Sequence, residues 1–169
     1  MDAWLGLGSN QQGSVAQLTK ALTRLQKAAG IEIRETSSFY RTPPWGDEQQ
    51  DDFINAVVRI DTCFEPEPLL SILQSIETEM GRQRTQRRWG PRLIDLDLLL
   101  VGDRLIQTAE LELPHPRMHQ RAFVLLPISE LNAKLEVPGR GRVGELLEKL
   151  DCKGIIRLPV PGFGVNRDV

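Results

Sequence analysis

Cysteine is scarce in this chain of 169 residues. Cys63 and Cys152 stand far apart, without the C-x-x-C spacing of a zinc or redox motif, and both read as reduced thiols. No apolar run approaches the roughly twenty residues that span a bilayer. The opening residues Met1 to Gly6 carry neither a basic segment nor an extended apolar one. Export and membrane insertion are therefore not expected, and the cytosol is the expected compartment. A one-sided charge is lacking too: 21 Lys and Arg against 23 Asp and Glu leave a formal charge of -2. That balance provides no global basic field for nucleic acid or an anionic membrane, so any anion site must be local. The glycine signatures of nucleotide folds are also missing. Gly6-Leu7-Gly8 lacks the third glycine of a dinucleotide fingerprint, and no Gly-Lys-Ser/Thr closes a phosphate loop. A nucleotide would have to be held by side chains.

What is present is a regular order of elements. Ala3 to Leu7 forms an apolar run ending at Gly8-Ser9-Asn10, and Ser14 suits the cap of a helix whose Val15, Leu18, Leu22 and Leu25 share a face. Gly30 ends that helix, and 31–40 suits a second strand that stops at Pro43-Pro44. A polar connection over 42–52 precedes Phe53 to Asp61, whose alternation marks a third strand. Pro66 opens a second helix with Leu69, Leu70, Leu73, Ile76 and Met80 as its stripe and Gly81 at its end. Leu93 to Val101 gives a fourth strand. Strand, helix, strand, strand, helix, strand is the split βαβ order of an α+β, ferredoxin-like βαββαβ sandwich with C-terminal additions. Residues 1–169 are expected to form one domain. The additions should include helices after Pro127 and around Gly144 to Leu150, then a Pro- and Gly-rich tail, expected to be mobile, from about residue 158.

Asp95 and Asp97, two apart on the fourth strand, share a face while Ile94, Leu96 and Leu98 take the other. Two ionised carboxylates side by side repel unless a cation sits between them, and hard oxygen ligands suit nucleotide-bound Mg²⁺. The same spacing also fits a solvated face paired with arginines. Immediately upstream, Arg82, Arg84, Arg87, Arg88 and Arg92 crowd around Trp89, Gly90 and Pro91. Guanidinium forks match phosphate oxygens, so basic loop, carboxylate pair and metal together supply what phosphoryl transfer needs. A solvated basic loop remains the plain alternative. His115 by itself suits a structural role as well as a phosphate contact. Phe53 and Asn55 share a strand face where an aromatic ring and an amide could hold a heterocycle, although core packing explains Phe53 equally well.

Several motifs in order make the chain resemble the 6-hydroxymethyl-7,8-dihydropterin pyrophosphokinase family over roughly its first 140 residues. They are Gly6-Leu7-Gly8-Ser9-Asn10, the run Ser37 to Pro44, Phe53-Ile54-Asn55-Ala56, Arg88 to Arg92 leading into Asp95-Leu96-Asp97, and Pro114-His115. The resemblance implies transfer of the terminal diphosphate of ATP to the pterin hydroxymethyl group, in folate biosynthesis. AMP leaves, and Asp95 and Asp97 bind two Mg²⁺ ions. It further implies that Phe53 and Phe123 sandwich the pterin, with Asn55 and the segment of Thr42, Pro43, Pro44 and Trp45 reading its polar edge. Arg82 and Arg92, with Trp89 between them, match the family's mobile catalytic loop, and His115 joins them as a catalytic residue. Gln74, Glu77, Arg84, Trp89, Arg92, His115 and Arg121 match positions near ATP. The partners implied are ATP and the dihydropterin, acting on a monomer, with neither nucleic acid nor membrane.

Three positions depart from the family pattern: Pro116 and Phe53 replace tyrosines, and Glu110 replaces an arginine. Phe53 keeps a stacking face and loses only a hydroxyl. Two rivals come from other classes. One is an RNA-binding sheet of the same architecture, which would need aromatics on a central strand and tolerate no acidic pair there without metal. The other is a regulator that keeps the fold without turnover.

Overall fold

The computed structural model describes residues 1–11, 13–44, 49–81 and 93–159. The elements run β1 (Asp2–Ser9), α1 (Ser14–Lys27), β2 (Ile31–Thr36), β3 (Tyr40–Thr42), β4 (Phe53–Thr62), α2 (Pro66–Glu79) and β5 (Asp95–Val101). After them come β6 (Ile106–Gln107), β7 (Glu112–Leu113), a 3-10 turn at Met118–Gln120, and α3 (Ala122–Asn132). The described part closes with β8 (Glu136–Val137), β9 (Gly141–Arg142), α4 (Val143–Glu148) and β10 (Ile156–Arg157). The main sheet has the order β10-β3-β4-β1-β5, with β2 also beside β4, and every pairing is antiparallel. That order is the ferredoxin-like one.

Each central strand divides its side chains between two faces, as the pleat requires. Leu5 and Leu7 of β1, Val58 and Ile60 of β4, and Leu96 and Leu98 of β5 pack under Leu22 and Leu25 of α1 and Leu69 and Leu73 of α2. On the opposite face Trp4, Val57, Leu99 and Leu100 lie buried with Leu125 and Ile128 of α3 and Val143 of α4. Leu99 and Leu100 share that face because β5 carries an extra residue where the register against β1 slips at Trp4/Leu5. A sheet face roofed by α3 and α4 at this end is not the open platform that an RNA-binding sheet presents. What stays uncovered is the other end of the same face, where Gly6, Gly8, Phe53, Asn55, Asp95 and Asp97 lie.

The structure corrects the local expectations in three places. The strand expected over 31–40 is two, β2 and β3, both on β4. Between them Ser37 accepts the amide of Val57 on its Oγ at 2.9 Å and donates its own amide to the Val57 carbonyl at 2.9 Å, so a side chain bridges the break. Ser14 does not cap α1: Gly13 precedes the helix at φ 76° and Ser14 turns back to the Gln11 carbonyl at 2.6 Å, while Val15 is exposed. The helix expected after Pro127 begins at Ala122 and holds Pro127 inside it. One lost helical hydrogen bond is tolerated there because Val124, Leu125, Pro127 and Ile128 are all buried. At the start of the expected tail the Leu158 amide donates to the Phe39 carbonyl at 2.8 Å, following the pairing of β10 with β3. Residues 160–169 of the expected tail lie outside the described residues. Among the described residues no helix is long and apolar enough to cross a membrane.

Candidate active site

The floor of the uncovered end is made by absence. Gly8 pairs with Asn55 on one side and Asp95 on the other, and Gly6 with Val57 and Asp97. Two rows of three residues thus cross adjacent strands on one face, each with a glycine in the middle. Strands about 4.8 Å apart put Asn55 about 10 Å from Asp95, with only backbone between them. A Cβ on Gly8 would come within 2.9 Å of Asn55 Oδ1, so the close approach of that amide requires glycine.

The walls rise from β3, β4 and α3. Asn55 is buried and donates from Nδ2 to Thr42 Oγ1 at 2.7 Å, which fixes the amide plane. Pro43 and Phe53 line one side, Phe123 and Val124 the other, around a cavity of about 100 Å³. That is several times the space one water needs. Arg121, at the N-terminus of α3, stacks its guanidinium over Phe123 at 5.6 Å. Burial lowers the Arg121 pKa from its usual value while Asp97, and after it Asp95, raise it, so the guanidinium stands in the field of both carboxylates.

Behind the carboxylates, Glu77 of α2 is buried and accepts the amide of Leu96 on Oε1 at 2.7 Å. Leu96 lies between Asp95 and Asp97, so this bond ties α2 to the backbone that aims both side chains. The two carboxylates fit Mg²⁺, which takes one or two carboxylates and completes its shell with water and substrate phosphates. Among the described residues no group of three or more His, Cys, Asp and Glu offers a closed cage. Such a pair would leave most of a metal's shell to water and substrate phosphates.

His115 lines a second cavity of about 450 Å³ with Gln107 of β6, Leu113 of β7, and Arg140. Burial, then Arg121, push its pKa down to about 4, with Asp95 opposing. The imidazole is neutral at pH 7. Its Nδ1 accepts the Arg117 amide at 3.2 Å, which places the ring proton on Nε2. His115 is thus a neutral donor in the second cavity, close enough to Asp95 and Arg121 to feel both.

Of the residues expected from the sequence, Thr42, Pro43, Phe53, Asn55, Asp95, Asp97, Arg121 and Phe123 meet in the first cavity, with His115 in the second. Pro44 is half-buried beside Pro43, and Gln74 is exposed on α2; neither lines the first cavity. Trp45, Arg82, Arg84, Trp89 and Arg92 lie outside the described residues. The sequence reading missed the glycine floor, whose signal was two glycines at strand spacing opposite an Asp-x-Asp. Pro116 and Glu110 are exposed.

A partly apolar cleft opening onto paired carboxylates and an arginine, with a neutral histidine in the neighbouring cavity, defines a phosphoryl-transferring enzyme of the ferredoxin-like α+β class. The chain belongs to the 7,8-dihydro-6-hydroxymethylpterin-pyrophosphokinase family, whose profile matches residues 4–133. It is 46% identical over 156 residues to the 2-amino-4-hydroxy-6-hydroxymethyldihydropteridine pyrophosphokinase of Methylorubrum extorquens, covering 92% of this chain and 98% of that one. The Haemophilus influenzae enzyme of the same name is 41% identical, covering 92% and 97%. Among solved structures, an HPPK-DHPS in complex with substrates superposes with a TM-score of 0.73 at 14% identity. The Plasmodium falciparum HPPK-DHPS with pteroate gives 0.70 at 15%. At these identities the likeness concerns the fold. The chain spans 46% and 42% of those two longer chains, which cover 94% and 88% of it.

Proposed function

We propose that this chain transfers the terminal diphosphate of ATP to 6-hydroxymethyl-7,8-dihydropterin, giving AMP and the pterin diphosphate, in folate biosynthesis. The observation that carries this reading is the single sheet face holding Phe53, Asn55, Asp95 and Asp97 across a glycine floor, with Phe123 above it. The pterin ring lies between Phe53 and Phe123, and Asn55, oriented by Thr42, reads its polar edge together with the segment through Pro43, Pro44 and Trp45. A ligand held at Asn55 and reaching about 10 Å across the floor ends at the carboxylates. ATP takes the side of His115, with Gln74, Glu77 and Arg84 as further ATP contacts by family resemblance.

The pterin hydroxyl oxygen forms a bond to the β-phosphorus, the bond from that phosphorus to the α-phosphate bridging oxygen breaks, and the hydroxyl proton passes to solvent. Asp95 and Asp97 would hold Mg²⁺, two ions in the full reading, which when bound neutralises phosphate charge. Arg121 and the Nε2 proton of His115 supply donors to phosphate oxygens from fixed positions, the preorganised stabilisation that such transfers rely on. Arg82, Arg92 and Trp89 act from the connection before β5, excluding water that would otherwise accept the diphosphate. The working unit is the monomer, in the cytosol.

Product analysis with ATP, Mg²⁺ and 6-hydroxymethyl-7,8-dihydropterin tests the proposal. Pterin-dependent AMP with pterin diphosphate is expected. ADP would show transfer of one phosphoryl group, and no nucleotide product would put the regulator reading first.

A further inference from the structure

The run Ser37 to Tyr40 does not line the substrate cleft, yet Ser38 and Tyr40 converge with two residues from much later in the chain. Glu130 of α3 receives the Ser38 amide on both carboxylate oxygens, at 3.0 and 3.2 Å, the Ser38 hydroxyl at 2.8 Å, and the Tyr40 hydroxyl. Arg157 of β10 donates from Nε to the same Ser38 hydroxyl at 2.8 Å, and its guanidinium lies 3.6 Å from Glu130. Ser38, with one hydroxyl proton, gives it to Glu130 and accepts from Arg157, so its donor and acceptor roles are both assigned. Tyr40 is buried, and burial first, then its bond to Glu130, raises its pKa; it stays a donor at every physiological pH.

The place of this cluster gives it meaning. Glu130 is seven residues after Phe123 on the same helix, about 10 Å along its axis. Tyr40 is two residues before Thr42 on the same strand, about 7 Å. The two walls of the cleft, α3 with Phe123 and β3 with Thr42 and Pro43, are therefore joined by one carboxylate at the far end of both. The C-terminal segment joins on the outside: Ile156 and Arg157 pair with Arg41 and Tyr40, and Gly154 is packed so closely that a Cβ there would lie 3.2 Å from Pro43 Cγ.

We propose that Glu130 is a positioning residue for the substrate cleft, setting the distance between Phe123 and the Thr42–Pro43 wall, with Arg157 tying the C-terminal strand into the same junction. The inference rests on the reading of that cleft as the pterin site. Glutamine at position 130 keeps the shape but replaces one acceptor by a donor facing the Ser38 amide or the Tyr40 hydroxyl, both of which donate.

Steady-state kinetics on folded Glu130→Gln, Tyr40→Phe and Phe123→Ala, checked by circular dichroism, decide the matter. Glu130→Gln should raise the pterin KM about tenfold and Tyr40→Phe about threefold, with the ATP KM within about twofold and kcat little changed, the signature of lost ground-state placement. A merely structural role would lower the fraction folded without separating the two substrates. An unchanged pterin KM in both variants, or an equal rise for ATP, overturns the inference; if Glu130→Gln does not fold, Tyr40→Phe alone decides. Phe123→Ala separates the two levels. If it leaves the pterin KM unchanged, the cleft assignment falls and takes the inference with it; if it raises that KM while Glu130→Gln and Tyr40→Phe do not, only the positioning role of Glu130 falls.

Discussion

At the scale of single residues, the site depends on two side chains that are present and two that are not. Asp97 stands on the floor opposite Gly6 and within the field of Arg121. Asp97→Ala should lower turnover by on the order of 100-fold or more, since it removes half of the carboxylate pair that fits the metal; wild-type rates of AMP formation would sink that assignment. Gly8→Ala acts by addition. Its Cβ would stand 2.9 Å from Asn55 Oδ1, so the amide must shift and its bond to Thr42 is disturbed. A weakened pterin affinity at nearly constant ATP affinity is expected, and a titration of each ligand against the purified variant measures it. The aspartates were legible in the sequence because strand alternation alone puts both on one face. The glycine floor was not, because a glycine announces a turn or a phosphate loop far more often than a missing side chain on a central strand.

At the scale of elements, the bond from Leu96 to Glu77, a contact between β5 and α2, helps hold the backbone that carries the carboxylates. Family resemblance places Glu77 near ATP; in the structure its buried carboxylate also holds the strand. Glu77→Ala leaves a buried amide without that acceptor, which should cost about 1–3 kcal/mol of stability, read as a lower urea midpoint, and should lower turnover through Asp95 and Asp97. A variant with wild-type stability would show that the amide finds another partner at no cost. The two helices and the strands β1, β4 and β5 were readable because each carries its own period and punctuation: Pro66 opens α2, Gly81 follows it at φ 90°, and the apolar stripes match. What was not readable depends on partners far away in sequence. The break between β2 and β3 exists because Ser37 bonds to Val57, and α3 runs through Pro127 because its face is buried on Trp4, Val57 and Leu99. β10, two residues long with Ile156 exposed, has no pattern at all and is defined by pairing with β3.

At the scale of the whole molecule, His115 links the site to acid stability. Its pKa is about 4 in the fold against an ordinary value of 6.5, with burial the main cause. Above pH 6.5 neither the folded nor the unfolded chain protonates this ring, and it adds no pH dependence. Between pH 6.5 and 4 the unfolded chain binds a proton that the folded chain refuses, so stability falls as the pH falls, and the loss is complete below 4. At pH 5 the two values give a loss of about 2 kcal/mol relative to pH 7. His115→Gln removes the titrating group while keeping a side chain that can hydrogen-bond. Urea unfolding without nucleotide or metal, at pH 7 and pH 5, should therefore show the wild type losing about 2 kcal/mol more than the variant on acidification. Equal losses in the two proteins would mean that His115 takes up its proton in the fold as readily as in the unfolded chain. A charged imidazolium would then face Arg121 at pH 5, and the neutral Nε2 donor assigned to phosphate binding would hold only nearer pH 7.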